Sequence, residues 1–292
     1  QCRRCIGVAH SKDPLCPHLG YCTECKSPGP FSEPLRGKLT ARQEQQLREK
    51  NDGKDPITAI DMALVDNVDN VLFRCTGCYR AFHFEHLPPN SEPAHVWDSE
   101  GSVSGDVANV RFKEYSRRWL CKDCITHPEE IEALVAWRPV DIDSFIPGYT
   151  ADVMEEVDKE YLVKWKCKSY YRTTWMPGPW VWGVAAPAMR RAFHKSSKNL
   201  KPCMATEDAI PEEYLRVDIV FDVRYSNIVS NRTMEIDLAR VKEVKEAYVK
   251  FKGLPYEDAV WESLPDPTDV ERWNDFKAAY EDWVLRDYVR IP

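Results

Sequence analysis

Cysteine and histidine supply most of the chemistry available to this 292-residue chain. Eight of its eleven cysteines stand in four Cys-x-x-Cys pairs: Cys2/Cys5, Cys22/Cys25, Cys75/Cys78 and Cys121/Cys124. Two intervening residues let both thiolates of a pair reach one tetrahedral ion, so the spacing points to zinc rather than to disulfides. Histidines extend the set: His83 and His86 follow the third pair, and His10 and His18 lie between the first two, with Cys16 beside them. The sites these residues can build are filled by four protein ligands. A catalytic zinc keeps one position open for water, so the expected role of the metal is structural. Cys167 and Cys203 remain as ordinary thiols.

The rest of the composition narrows the possible roles. Hydrophobic residues make up 43% of the chain and aromatics 11%, which excludes a wholly disordered protein. The length suits several small domains rather than one core. No apolar run reaches the ~18 residues that a membrane helix needs, and the start, QCRRCIG, has no apolar secretion core. Forty basic against 47 acidic side chains give a net charge of -7, which argues against a surface that coats DNA. A nucleic-acid contact is therefore expected to be local. The candidate is RRAFHKSSKNLK, where Arg190, Arg191, Lys195, Lys198 and Lys201 occur with no acid. Such a run can clamp phosphates without reading bases, and a merely solvated helix face is the competing reading.

The elements that position these groups are announced by a repeat. YLVKWKCKSYYRTTW, residues 161–175, lies on AYVKFKGLPYEDAVW, residues 247–261, without a gap, a shift of 86 (247 minus 161). Val163/Val249, Lys164/Lys250, Lys166/Lys252, Tyr170/Tyr256 and Trp175/Trp261 are identical, and Trp165 faces Phe251. Each copy starts as an alternating strand, turns, and ends in a strand carrying the tryptophan. A preceding strand is expected at VDIVFDVR, residues 217–224. After the second copy, Trp273, Phe276, Tyr280 and Trp283 recur at helical spacing behind Thr268, the expected cap, so a helix should cover the sheet. In KLTARQEQQLREKND, Thr40 and Gln43 make a capping box that predicts a polar helix, either a solvated spacer or a partner-binding element.

FRCTGCYRAFHFEHLPP, residues 73–89, followed by RWLCKDC, residues 118–124, resembles the second half of a PHD finger. That family interleaves its ligands. The resemblance therefore implies that Cys22, Cys25, His83 and His86 share one ion and Cys75, Cys78, Cys121 and Cys124 another, with Trp119 packing the small core. His86 stands where the family usually has cysteine, and residues 26–74 form a long insertion. Upstream, Cys2, Cys5, His10 and Cys16 have a spacing close to a zinc knuckle, with His18 as the rival to His10, which makes three zinc ions. A second partition stays open, because Cys2 to Cys25 also resembles the front of a RING finger. It would join Cys2/Cys5 to Cys22/Cys25, Cys16/His18 to Cys75/Cys78, and His83/His86 to Cys121/Cys124.

The repeated segment resembles a chromodomain, most clearly in the Lys-Gly-Leu-Pro-Tyr of residues 252–256 and the Trp-Glu-Ser of residues 261–263. A PHD finger ahead of tandem chromodomains is the arrangement of Mi-2/CHD-type chromatin remodellers, and the His-rich zinc region resembles that of the fungal Mi-2-like remodeller of heterochromatin silencing. The resemblance implies an α+β chain: a zinc-knuckle-like segment (1–20), a PHD-like finger (21–128) and chromodomains at 129–205 and 206–292, each a three-stranded antiparallel sheet with a C-terminal helix. It implies a nuclear, non-catalytic targeting region whose full-length protein carries a helicase-like ATPase. No P-loop motif occurs in the chain. The implied partners are nucleosomal DNA, the histone H3 tail added beside residues 70–74, and other subunits of a remodelling and deacetylase silencing complex; no small-molecule substrate is expected. A RING-type ubiquitin ligase and a pure scaffold are the alternatives. The family's methyl-lysine cage is only partial here, with Trp165 and Phe251 in cage positions but Lys168 and Leu254 where a second ring is needed.

Overall fold

The computed structural model describes residues 18, 21–27, 41–50, 72–87, 115, 119–143, 145–196, 201–230 and 232–289. Contacts divide the chain into two compact units, one of residues 1–128, 140–159 and 177–190 and one of residues 129–139, 160–176 and 191–292. Both mix short antiparallel strands with helices, the α+β class expected.

In the first unit, helix α1 (Ala41–Lys50) forms where the capping box predicts it, with Gln45 bonded to Glu49 one turn on. Strands β1 (Phe73–Arg74) and β2 (Ala81–Phe82) pair antiparallel around the third Cys-x-x-Cys. Trp119 fills the space beside them, edge-on to Phe82 at 5.4 Å and to Tyr115 at 5.6 Å. The helix α2 (Lys122–Thr126) starts from Cys121.

The second unit contains the repeat, and its strands extend the repeat beyond what identity reveals. Strand β3 (Ile131–Pro139), β4 (Lys159–Trp165) and β5 (Thr174–Pro177) form one meander in the order β3-β4-β5. In the first copy they lead into helices α3 (Gly178–Val184) and α4 (Pro187–Lys195), then the short α5 (Thr206–Ala209). Strands β6 (Val217–Tyr225), β7 (Val244–Phe251) and β8 (Val260–Ser263) form the second meander. The shift of 86 that carries Tyr161 to Ala247 also carries Ile131 to Val217 and Thr174 to Val260, the first residues of the paired strands. It also carries the ion pairs across. Lys164–Glu132 (3.0 Å) becomes Lys250–Asp218 (2.6 Å), and Arg138–Glu160 (2.8 Å) becomes Arg224–Glu246 (2.9 Å).

Helix α6 (Met234–Ala239) precedes β7, and helix α7 (Val270–Tyr288) closes the second copy. Its apolar stripe puts Phe276, Tyr280 and Val284 into a core with Val220, Val249 and Phe251. The cap is Asp269, which accepts from the Arg272 amide at 3.3 Å, rather than Thr268. Thr268 is engaged by Asp266 in the preceding turn, so its side chain is no longer available to the helix. Fully buried Asp237 ties α6 to α7: its carboxylate accepts from Tyr288 (2.7 Å) and Arg232 (3.0 Å), and its carbonyl from Tyr280 (2.6 Å).

The two copies are bonded to one another through Glu262, the acid of the Trp-Glu-Ser stretch. Its carboxylate, 6% exposed, accepts from Arg172 at 2.5 Å and from Ser169 of the first copy. Burial opposes ionisation there, but hydrogen bonds from Arg172, Ser169 and Ser263 hold its carboxyl below the ordinary carboxylate range. A depressed folded value stabilises above the unfolded value and is lost as pH falls through the folded one. Glu262→Ala is accordingly expected to destabilise the second unit by about 1.5–3 kcal/mol at neutral pH. Denaturant titrations at neutral and at acidic pH test this; the difference between variant and parent should shrink on acidification.

Candidate metal centre

Two knuckles of the same local design present the second and third cysteine pairs of the chain. The Lys26 amide bonds the Cys22 carbonyl and the Tyr79 amide bonds the Cys75 carbonyl, each at 3.0 Å. Both Lys26 (φ 59°) and Tyr79 (φ 63°) adopt the left-handed conformation needed to turn the chain back. The next residues close the loops, through Cys22 N to Ser27 O at 2.9 Å and Cys75 N to Arg80 O at 3.0 Å. Each knuckle thus aims two sulfurs at one point.

The ligand atoms gather in two groups, Cys22/Cys25/His83/His86 and Cys75/Cys78/Cys121/Cys124, each with all four atoms within 4.8 Å of one another. These are the groups that the PHD resemblance implies. The RING-type partition would need Cys75 and Cys78 beside Cys16 and His18, and His83 and His86 beside Cys121 and Cys124. Among the described residues, His83 and His86 group with Cys22 and Cys25 and not with Cys121 and Cys124; Cys16 lies outside the described residues. A tetrahedral zinc with Zn–S of ~2.3 Å and Zn–N of ~2.0 Å sets sulfurs about 3.8 Å apart and a sulfur and a nitrogen about 3.5 Å apart. Cys75–Cys124 and Cys78–Cys121 stand at 3.6 Å, Cys22 to His86 Nδ1 at 3.4 Å and Cys25 to His83 Nδ1 at 3.3 Å. Both groups therefore fit zinc, and neither sulfur pair approaches the ~2.0 Å of a disulfide.

The all-cysteine group is buried and equipped with donors to every sulfur. Arg80 donates to Cys78 (3.2 Å) and Cys121 (3.1 Å) and is held by Asp123 (2.7 Å). The Cys121 and Gly77 amides reach Cys75 at 3.2 and 3.4 Å, and the Trp180 indole reaches Cys124 at 3.2 Å. Without a cation the thiols divide: hydrogen bonds from Cys121, Cys124 and Cys78 hold Cys75 far below the ordinary thiol range, while burial pushes Cys78 far above it. A divalent ion would draw all four into the thiolate form, and N–H donors and the Arg80 cation would then offset the surplus negative charge.

Arg80, Trp180 and Gly183 were not singled out by the sequence. Helix α3 lies directly on the sulfur cluster, so closely that a Cβ on Gly183 would stand 1.9 Å from the Cys78 carbonyl oxygen. The FRCTGCYR run offers a basic residue beside a cysteine pair, which is a signal for Arg80. Trp180, 56 positions from Cys124, had none.

The other predicted residues are dispersed. His18 is buried, 5.3 Å from the Trp182 ring, and Cys2, Cys5, His10 and Cys16 lie outside the described residues. On α4, Arg191 and Lys195 are exposed and one turn apart, while Arg190 turns to stack on Trp182 at 5.3 Å. Lys201 is exposed, and Lys198 lies outside the described residues. Trp165 (3% exposed) and Phe251 (1% exposed) are core residues. Trp165 bonds Thr174 at 3.1 Å and Phe251 packs on Tyr171, so burial leaves neither ring face open to a cation. Lys168 is paired with Glu129 at 3.9 Å.

Comparison with known proteins places this geometry. The PHD/FYVE-zinc-finger like domain family matches residues 1–124, and the MIT1 Chromo domain family matches residues 205–285. Over 235 residues the chain is 28% identical to the chromatin remodeling factor mit1 of Schizosaccharomyces pombe, covering 75% of this chain and 15% of that protein. The chain thus carries a PHD-like finger and a chromodomain and resembles the corresponding region of Mi-2/CHD-type remodelling factors. Within that type it is also 24% identical over 232 residues to the CHD3-type chromatin-remodeling factor PICKLE of Arabidopsis thaliana, covering 76% of the chain and 14% of that protein. A chromodomain-helicase-DNA-binding protein 3 homolog of Caenorhabditis elegans is 26% identical over 217 residues, covering 70% and 12%. The chain thus spans a small fraction of the length of each of these relatives. Among the described residues, no helix is long and apolar enough to cross a membrane.

Proposed function

We propose that this chain is the targeting region of an ATP-dependent nucleosome remodeller and works in the nucleus by binding rather than by catalysis. The observation that carries the reading is the joint match to a PHD-like finger and a chromodomain, in a chain whose relatives are named chromatin-remodelling factors. Cys22, Cys25, His83 and His86 hold one structural zinc, Cys75, Cys78, Cys121 and Cys124 a second, and Cys2, Cys5 and Cys16 with His10 or His18 a third. The ATPase resides elsewhere in the full-length protein. The histone H3 tail and other subunits of a silencing complex are its protein partners.

DNA contact falls to α4. Arg191 and Lys195 share an exposed face and have no ion-pair partner among the described residues, so their charge is available to phosphate. The burial of Trp165 and Phe251 favours DNA and protein over methyl-lysine as ligands of the repeat. Replacing both Arg191 and Lys195 by alanine should weaken binding to nucleosomal linker DNA and reduce the slope of log affinity against log salt by about 2, since each phosphate contact contributes ~0.9. An unchanged slope in a gel-shift salt series would remove DNA from the proposal.

A further inference from the structure

The outer sheet face of each copy carries the same anchor groups, and only the first is covered among the described residues. In the first copy the segment 203–215 lies on it. Ile210 (4% exposed) packs with Ala136 and Leu162, and Tyr214 meets Tyr170 at 5.1 Å. Polar contacts fix the same segment. The Cys203 amide bonds the Trp137 carbonyl at 2.8 Å, the Trp175 indole donates to the Thr206 hydroxyl at 2.9 Å, and Arg138 donates to the Met204 carbonyl at 3.4 Å. Arg138 does so while stacked on Trp175 at 4.2 Å.

The shift of 86 maps these groups onto Tyr248, Tyr256, Trp261 and Arg224. There the stack recurs, with Arg224 over Trp261 at 3.9 Å, and Phe221 joins Tyr248 and Tyr256 in one aromatic surface with ring centres 5.8 and 6.1 Å apart. Exposure differs in the way a missing cover predicts. The Leu162 position is fully buried while Tyr248 is half-buried, Tyr256 is 64% exposed, and the Arg224 side chain is 58% exposed against 31% for Arg138.

We propose that this second face is a docking site for an acidic peptide segment of another polypeptide, of the chemistry that the chain itself uses on the first. That chemistry is a Ser or Thr hydroxyl for the Trp261 indole, a branched aliphatic side chain four residues on for the aromatic surface, and acids around them. The first copy's cover has Thr206 and Ile210 at that spacing, with Glu207, Asp208, Glu212 and Glu213 and no base from 206 to 215. The Arg224 guanidinium, 58% exposed and paired with Glu246 as Arg138 is with Glu160, keeps N–H donors for a carbonyl or carboxylate of the docked segment, as Arg138 does for the Met204 carbonyl. The inference holds whether or not α4 contacts DNA.

The test is a titration of the intact chain with a labelled synthetic peptide of residues 201–216 carrying Cys203→Ser. The first face is occupied by the tethered copy of the same sequence, whose effective concentration is about millimolar, so free peptide reads the second face. Saturable binding is expected, with a shift of the Trp261 indole resonance, and Arg224→Glu should weaken it about tenfold or more; because that change also removes the Arg224–Glu246 pair, Tyr248→Ser, which leaves the pair intact, should weaken binding as well. Ile210→Asp in the peptide should abolish it. The proposal is overturned by no saturable binding at ~1 mM peptide, by affinity indifferent to Arg224→Glu and Tyr248→Ser, or by the same residues controlling DNA binding instead.

Discussion

The Cys121→Ser variant is expected to lose one equivalent of zinc and to unfold the zinc-bearing unit. Structural zinc contributes an apparent ~10–16 kcal/mol in small zinc domains, which exceeds or matches the whole stability of an ordinary domain of about 5–15 kcal/mol. The four sulfurs are buried, and Arg80 donates to two of them, Cys78 and Cys121. Because Trp180 donates to Cys124, its fluorescence should change in step with zinc release measured by a chelating dye. The chromodomain core around Phe276 and Tyr280 contains none of these ligands, so its transition should persist. Cys167→Ser is the control. That thiol is exposed and outside both clusters, and stability should stay within about 0.5 kcal/mol with full zinc content.

Lys159→Met is expected to cost about 3–5 kcal/mol, although it removes a charge and keeps the volume. Lys159 is fully buried, 3.3 Å from Glu156, and donates to the carbonyls of Ala151 and Met154 (2.9 Å). Without it the Glu156 carboxylate, itself 6% exposed, loses the ammonium 3.3 Å away and two carbonyls lose a donor. Adding Glu156→Gln should recover much of the loss, because the double variant buries no charge. A double-mutant cycle by urea denaturation measures this; additive losses would mean that the pair is not coupled.

Much of the metal site was legible because a Cys-x-x-Cys pair needs only local spacing to be recognised. The pairing between distant pairs was legible only through family resemblance, since Cys75 and Cys124 are 49 positions apart and no periodicity links them. Arg80, Trp180 and Gly183 act on the sulfurs through tertiary contacts that leave no local pattern. The repeat was visible where the identities cluster, from Tyr161 to Trp175. It was invisible in β3 and β6, where Leu134 and Val220 or Trp137 and Val223 share burial but not identity. There the conserved quantity is the ion pair, Glu132 with Lys164 and Asp218 with Lys250. The cage positions show the opposite limit. Trp165 and Phe251 have the right side chains, but ring exposure is decided by Thr174 and Tyr171, which lie outside any cage pattern.

The ligand pairing separates a PHD-like finger from a RING-type ligase, and one measurement reads it directly. In the cadmium-substituted chain, cadmium NMR of Cys25→Ser should lose the resonance of the site with two sulfurs and two nitrogens and keep the all-thiolate resonance of Cys75, Cys78, Cys121 and Cys124. Loss of the all-thiolate resonance, with the mixed one retained, would put Cys25 in a cluster with Cys2 and Cys5 and contradict the account.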